Sequence, residues 1–396
     1  MTTRHEASDG STIEPGDVVV LHVQGLEELI ASLIDAGFDT RGPSVRNGAI
    51  VPGALHGVTD LPKGVHDVQA PGRYRLEHSD DGQLFGWAVG PGSWKAEFFP
   101  PSQELWRASP AGDSMVFTEP APDQRRLAII GARPCEVAAL SVLDRVLANG
   151  EHRDPRYVER RDANFVVVVE CGRPGATCFC SSMGTGPGID AGFDVALTEV
   201  DDSDGHRFVA RPGTQRGADF LSRVTHEEST DRDRGARVAV LERAGVQMGR
   251  RLDTEGLASL LARNVEHPHW DEVAERCLSC ANCTLVCPTC FCSDVRDTTD
   301  LAGDFHRRRT WSSCFDLDHS YLHGGPVRAS VSSRYRQWMT HKLSTWWDQF
   351  DTSGCVGCGR CVTWCPVGID ITEEVRAIAT SDGASRRDVP SVKGAP

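Results

Sequence analysis

No stretch of this sequence is apolar for long enough to span a bilayer as a helix. Its longest apolar runs, such as Phe165–Val169, fall far short of the roughly 20 residues that a spanning helix needs. The opening residues, Met1-Thr2-Thr3-Arg4-His5-Glu6, carry neither the apolar core of a secretion signal nor a twin-arginine stretch, so a cytoplasmic location is expected. Positive charge is scarce as well. Lys and Arg number 42 against 56 Asp and Glu, a net charge of −14, which argues against nucleic acid as a partner. Also absent is a convincing dinucleotide fingerprint. Gly184-Thr185-Gly186-Pro187-Gly188 has no strand-to-helix turn around it and no Walker lysine after it, and reads as a flexible turn. No catalytic residue is assigned.

Cysteine, by contrast, is plentiful. The 396 residues include 15 cysteines, and without a secretion signal these point away from disulfides, because the cytosol keeps thiols reduced. Eight of them form two copies of one pattern. The first is Cys277-x-x-Cys280-x-x-Cys283-x-x-x-Cys287-Pro288, and the second is Cys355-x-x-Cys358-x-x-Cys361-x-x-x-Cys365-Pro366. Three thiolates on a tight loop and a fourth before a proline suit a [4Fe–4S] cubane. Zinc would favour separated C-x-x-C pairs or a Cys/His mixture. In two-cluster ferredoxins the fourth cysteine of each motif serves the other cluster. One cluster is therefore assigned to Cys277, Cys280, Cys283 and Cys365, and the other to Cys355, Cys358, Cys361 and Cys287. The long spacer between the motifs predicts a helical dicluster unit rather than a compact ferredoxin.

A second echo lies in Thr177-Cys178-Phe179-Cys180-Ser181, which recurs as Thr289-Cys290-Phe291-Cys292-Ser293. Small buried cysteines could simply pack well there. Yet Cys135 and Cys171 each follow the carboxyl end of a predicted strand, where open α/β sheets place ligands. Cys135 also opens a helix, whose free N–H groups favour an anionic cluster. If the 178–180 segment is extended, Cys178 and Cys180 point to one face. Cys135, Cys171, Cys178 and Cys180 are thus candidates for a third iron–sulfur or metal site. Cys290, Cys292 and Cys314 are expected to line or shield a neighbouring cluster, and Trp364 to exclude water from one. Arg307, Arg308 and Arg309 read as a solvated face, as an offset to cluster charge or as a dock for an acidic partner. His306, His319, His323 and His341 are scattered and read as structural.

Around these motifs the pattern predicts an α/β (mixed α+β) domain over residues 1–245, an α-helical ferredoxin-like dicluster domain over 246–380, and a disordered tail from 381 to 396. Strands are expected at Asp17–Val23, Gly48–Val51, Arg126–Ile130 and Phe165–Val169. Helices are expected over Leu26–Ala36, along Val137, Leu140, Leu143 and Leu147, at Leu257–Val265 and around Val331–Trp347. A hairpin fits Asp194–Val209, and an exposed loop fits Gly213 to Gly235. The double proline within Glu97–Trp106 argues against a central strand there.

The chain resembles the iron–sulfur β subunits of cytoplasmic NAD(P)-linked [NiFe] hydrogenases, the sulfhydrogenases, and is similar to the 4Fe-4S dicluster subunits of anaerobic sulfite reductases. The segments that carry the resemblance are Gly131-Ala132-Arg133-Pro134-Cys135-Glu136, Cys178 to Pro187, Cys287-Pro288-Thr289-Cys290-Phe291-Cys292 and Cys358-Gly359-Arg360-Cys361. Glu136 stands where aspartate is expected, and Ser312 does likewise before Ser313-Cys314. The resemblance implies an electron-transfer subunit between a flavoprotein that binds NAD(P)H and [NiFe] hydrogenase small and large subunits, or sulfite reductase subunits. The sequence itself lacks the paired motifs of nickel ligation and any siroheme spacing. Two other readings remain. The first domain could hold its own flavin or substrate site, making the chain a reductase; or the cysteines could bind structural zinc.

Overall fold

The computed structural model describes residues 12–123 and 125–387, with side chains to 382. The continuous apolar runs form buried parallel strands. Leu127–Ala132 and Phe165–Val169 lie side by side, joined through the helices Pro134–Leu147 and Pro155–Asp162. Because side chains alternate along a strand, the two runs serve two cores. Ala128, Ile130, Phe165, Val167 and Val169 pack with Leu26, Leu29 and Leu33 of the helix Val23–Asp35. Leu127, Ile129, Val166 and Val168 pack against Val137, Leu140 and Leu143 on the opposite face.

Asp39–Arg46 and Val195–Asp202 extend the parallel region. Antiparallel strands at both edges, including the hairpin partner Gly205–Pro212, complete a mixed eight-stranded sheet. This sheet delivers the turns after Ala132 and Val169, with their cysteines, to the same edge, the one formed by the carboxyl ends of these interior parallel strands.

Beyond the sheet, Trp270, Tyr335, Trp338, Met339 and Leu343 build a further core among the helices Leu257–Arg263, His269–Arg276, Val331–Thr340 and Ile371–Arg387. A π turn, His341–Thr345, continues Val331–Thr340 into the short helix Trp346–Phe350. No helix among the described residues is long and apolar enough to cross a membrane.

The architecture corrects several expectations. The spacer between the motifs is not wholly helical. It contributes the hairpin Ser293–Thr299 and Phe305–Trp311, and the latter pairs with Ser102–Ala111 in a four-stranded sheet. That sheet takes strands from both sides of residue 245, so the expected boundary does not separate two self-contained bodies. Charge disguised these strands. Arg307 pairs with Asp297 at 2.7 Å and lies over Trp106, while Arg309 reaches Asp154 and lies over Phe99.

Ser102–Ala111 is itself an interior strand, directly after Pro100 and Pro101. A proline constrains its own position and its predecessor, not the residues after it. The segment 213–235 holds the helix Gln215–Leu221 and the start of Asp231–Val246, capped by Thr214 and Thr230. Finally, Ile371–Arg387 continues through the point where the tail was expected to begin, held by Arg263 on Asp382 at 2.7 Å. The rest of that tail, 388–396, and the polar N-terminal residues lie outside the described residues.

Arg360 ties the second cysteine loop to the Gly90–Gly92 backbone and to the helix Pro134–Leu147. Fully buried, its guanidinium donates to the carbonyls of Gly90 at 2.8 Å and Gly92 at 3.0 Å and pairs with the Glu136 carboxylate. Glu136 also accepts from the Arg133 backbone N–H at 3.0 Å, closing the cap of its helix. One side chain thus caps the helix that begins at Pro134 and anchors the loop containing Cys358.

Candidate metal centre

The two cysteine motifs fold into matching loops. Ser279 and Ala281 have φ of 51° and 63°; Gly357 and Gly359, at the equivalent places, have 65° and 75°. These left-handed residues turn the chain so that the cysteines face inward. In each loop a backbone N–H meets a thiol, from Ser279 to Cys277 at 3.5 Å and from Gly357 to Cys355 at 3.4 Å. Ile369 donates to Cys365 at 3.3 Å.

The loops differ in what lies against them. A Cβ on Gly357 would stand 2.6 Å from the Phe179 carbonyl oxygen, and one on Gly359 would stand 2.5 Å from that of Thr177. The Thr177–Ser181 segment therefore packs directly on the second loop, where only glycine fits. The other copy of that segment flanks the same loop, with Thr289 donating to Gly354 O at 2.6 Å.

One cavity is lined by Cys277, Cys280, Cys283 and Cys365, with Cys361 at its border. A neighbouring one is lined by Cys287, Cys355, Cys358 and Cys361. All 15 cysteines are free thiols. Among the described residues, no three of them bring their sulfurs within 4.8 Å of one another; the only such trio of potential ligands is Asp300, Asp304 and His306.

Burial pushes Cys283 and Cys361 well above the ordinary thiol range, and Cys355 up to about 12. Thiols gathered in such a place ionise only beside positive charge, which iron would supply. Cys287 differs. The hydrogen bond from the Cys290 thiol and, against the cost of burial, the Lys342 ammonium hold it well below the usual range.

The four cysteines proposed for a third site are all buried. Cys135 sits in the first turn after Leu127–Ala132, and Cys171 just beyond Phe165–Val169. Burial pushes the Cys178 thiol well up, with neighbouring Cys180, Cys171 and Cys358 adding to the effect, and the thiol lies 3.8 Å from the Cys358 carbonyl oxygen. The extended geometry expected for Cys178–Cys180 is absent. Phe179 has φ −145° and ψ 28°, and Cys180 begins a 3₁₀ turn, because Gly184 and Thr185 fold back on it. Tertiary contact, rather than strand alternation, sets where these thiols lie.

Cys290 borders the second group through Cys287, and Cys314 lies near Cys292 and Cys283. Trp364 packs against Tyr74, the rings tilted by 32° with centroids 5.1 Å apart. His306 is bound between Glu104 at 2.8 Å and Asp300 at 3.2 Å, and Arg308 also reaches Glu104. The buried cations Lys95, Lys342 and Arg360 were not singled out from the sequence. Lys342 lies in an amphipathic stretch with tryptophans and offers no motif; only Arg360, between two cysteines of the second motif, carried a positional hint.

Gly359→Ala is expected to destabilise the chain, combining left-handed strain of about 1–2 kcal/mol with a clash against Thr177. Ala281→Gly, at the matching place in the other loop, should be neutral or stabilising. Thermal unfolding under anaerobic conditions checks both; an unchanged melting temperature for Gly359→Ala contradicts this account of the loops.

Comparisons with known proteins agree with the site. Residues 276–369 match the 4Fe-4S dicluster domain family, and the chain accordingly carries two [4Fe–4S] clusters. The sulfhydrogenase 2 subunit beta of Pyrococcus furiosus is 33% identical over 257 residues, covering 63% of this chain and 74% of that protein. No solved structure matches the chain. The paired loops, their thiol-lined cavities and this relative together place the chain among the iron–sulfur β subunits of sulfhydrogenases, electron-transfer subunits of hydrogenase-type oxidoreductase complexes.

Proposed function

We propose that this chain relays electrons between a flavoprotein subunit that binds NAD(P)H and a [NiFe] hydrogenase module. One cluster is held by Cys277, Cys280, Cys283 and Cys365, the other by Cys355, Cys358, Cys361 and Cys287. A third iron–sulfur site takes Cys135, Cys171, Cys178 and Cys180. The observation that carries this reading is that the thiol groups adjoin in a row. Cys361 lines both cavities, and Cys358 joins the second to the cysteines at the sheet edge. When bound, the clusters supply one-electron transfer.

The chain's own groups do the rest. Backbone N–H groups hold the thiolates in place, Arg360 fixes the second loop against Gly90, Gly92 and Glu136, and the aromatic side chains of Trp338 and Tyr335 wall one side of the first cavity. The helical ferredoxin-like character of 246–380 belongs to the same reading, supported by the helices on either side of both loops. A cytoplasmic setting suits so many free thiols.

Two experiments test this. The isolated chain is expected neither to oxidise NAD(P)H nor to evolve hydrogen, and a flavoprotein partner with NAD(P)H should bleach its visible absorption. Steady NAD(P)H oxidation by the chain alone would support the reductase reading instead. For the ligands, Cys287→Ser should perturb the electron paramagnetic resonance signal that Cys355→Ser perturbs, and Cys365→Ser the signal that Cys277→Ser perturbs. If Cys287→Ser alters the signal sensitive to Cys277, the crossed assignment is wrong.

A further inference from the structure

The second thiol group has a buried ammonium beside it, and the first does not. Lys342 is 3% exposed and lies in the π turn His341–Thr345. Its Nζ donates to Cys287 Sγ at 3.0 Å, Thr289 Oγ1 at 3.1 Å and Gly354 O at 3.2 Å. Three acceptors match the three protons of an ammonium group. The backbone is tied to the same place, since the Lys342 carbonyl accepts from Gly354 N at 2.8 Å, immediately before Cys355.

A second lysine stands behind it. Lys95 is 2% exposed, donates to the Cys290 carbonyl at 3.0 Å and sits 3.7 Å over the Trp311 ring. Each lysine is tied to a residue in or beside the Thr289–Ser293 segment. Around the first group the nearest cations are spent elsewhere. Arg276 is paired with Glu374 at 2.7 Å, and Arg334 bonds the Arg328 and Ala329 carbonyls and Ser279 Oγ. Among the described residues, no lysine or arginine donates to Cys277, Cys280, Cys283 or Cys365.

A buried lysine carries a large desolvation cost unless negative charge repays it. The Cys287 sulfur is the nearest source of that charge. The converse holds as well: a fixed positive charge in a low-dielectric pocket favours whichever state of its neighbour is more negative. Each added electron is one negative charge.

We infer that Lys342 is a positioning residue for electron transfer: its fixed ammonium, backed by Lys95, raises the reduction potential of the cluster that Cys287 helps to hold. This rests on the crossed ligation proposed above. It opposes a different trend, because the second group is more buried than the first, where Cys280 is exposed. Burial alone disfavours the added electron; Lys342 offsets it.

Redox titration of the anaerobic full-length chain, followed by electron paramagnetic resonance, tests the inference. Lys342→Met should lower one potential by at least tenfold in the reduction equilibrium constant, about 59 mV for one electron, and leave the other unchanged. The shifted signal should be the one that Cys287→Ser perturbs. If both potentials stay in place with full iron content, the inference is overturned. If Lys342→Met shifts instead the signal sensitive to Cys277→Ser, the ligation is wrong while a role for the lysine stands. Should Lys342→Met lose iron, Lys95→Met, which touches no thiol, is read on the same signal. A smaller negative shift supports the inference, and an unmoved potential overturns it.

Discussion

Gathering sulfur ligands away from water is possible only where positive charge is brought in with them, and this constraint organises much of the structure. The sheet edge, both cysteine loops and the helical core meet around buried thiols, and the buried cations sit at the same junction. Arg360 spans from Glu136 to the carbonyls of Gly90 and Gly92 beside Cys358. Arg133 lies under the neighbouring turn, stacked on Trp87 and donating to the Phe85 carbonyl at 2.7 Å. Lys95 and Lys342 close the far side. Removing one partner of such a buried pair leaves a charge unpaired, at a cost of about 3–5 kcal/mol, so the cations are as integral to the site as the cysteines.

The same constraint accounts for the exchange of elements across residue 245. A hairpin from the spacer completes a sheet with Ser102–Ala111, and Gln69 accepts from both Thr177 and Thr363, at 3.0 and 2.8 Å. The Gly72 N–H donates to the Val362 carbonyl at 3.1 Å. The cluster-bearing loops are therefore not a ferredoxin appended to a carrier domain. The sheet supplies one wall of their surroundings, and the close approach of Thr177 and Phe179 to Gly359 and Gly357 fixes how near the two can come.

Much of this was legible in the sequence. The cysteine spacing identified the loops, and apolar runs such as Phe165–Val169 marked the buried parallel strands because nothing but a two-faced core accommodates them. Local signals failed where charge masked strand pairing. Arg307 to Arg309 read as a solvated face, an offset to cluster charge or a dock for an acidic partner. Arg307 and Arg308 are indeed half-exposed, yet the run forms a strand, with Arg307 and Arg308 paired to Asp297 and Glu104 of its neighbours and Arg309 to Asp154 at a helix cap. The helix Gln215–Leu221 escaped notice because few apolar residues mark it among charged ones. At Cys178 and Cys180 the extended geometry was wrong, since the fold rather than local alternation sets the direction of these thiols. Lys342 was invisible, because nothing in His341-Lys342-Leu343 distinguishes a buried ammonium from an exposed one.

The central claim is that this chain is an iron–sulfur electron carrier, and metal analysis of anaerobically purified, full-length protein tests it most directly. The account predicts a brown protein with about eight iron and eight labile sulfide per chain, or about twelve of each if the site at Cys135, Cys171, Cys178 and Cys180 is filled. Stoichiometric zinc with little iron or sulfide, in a colourless protein, would contradict it.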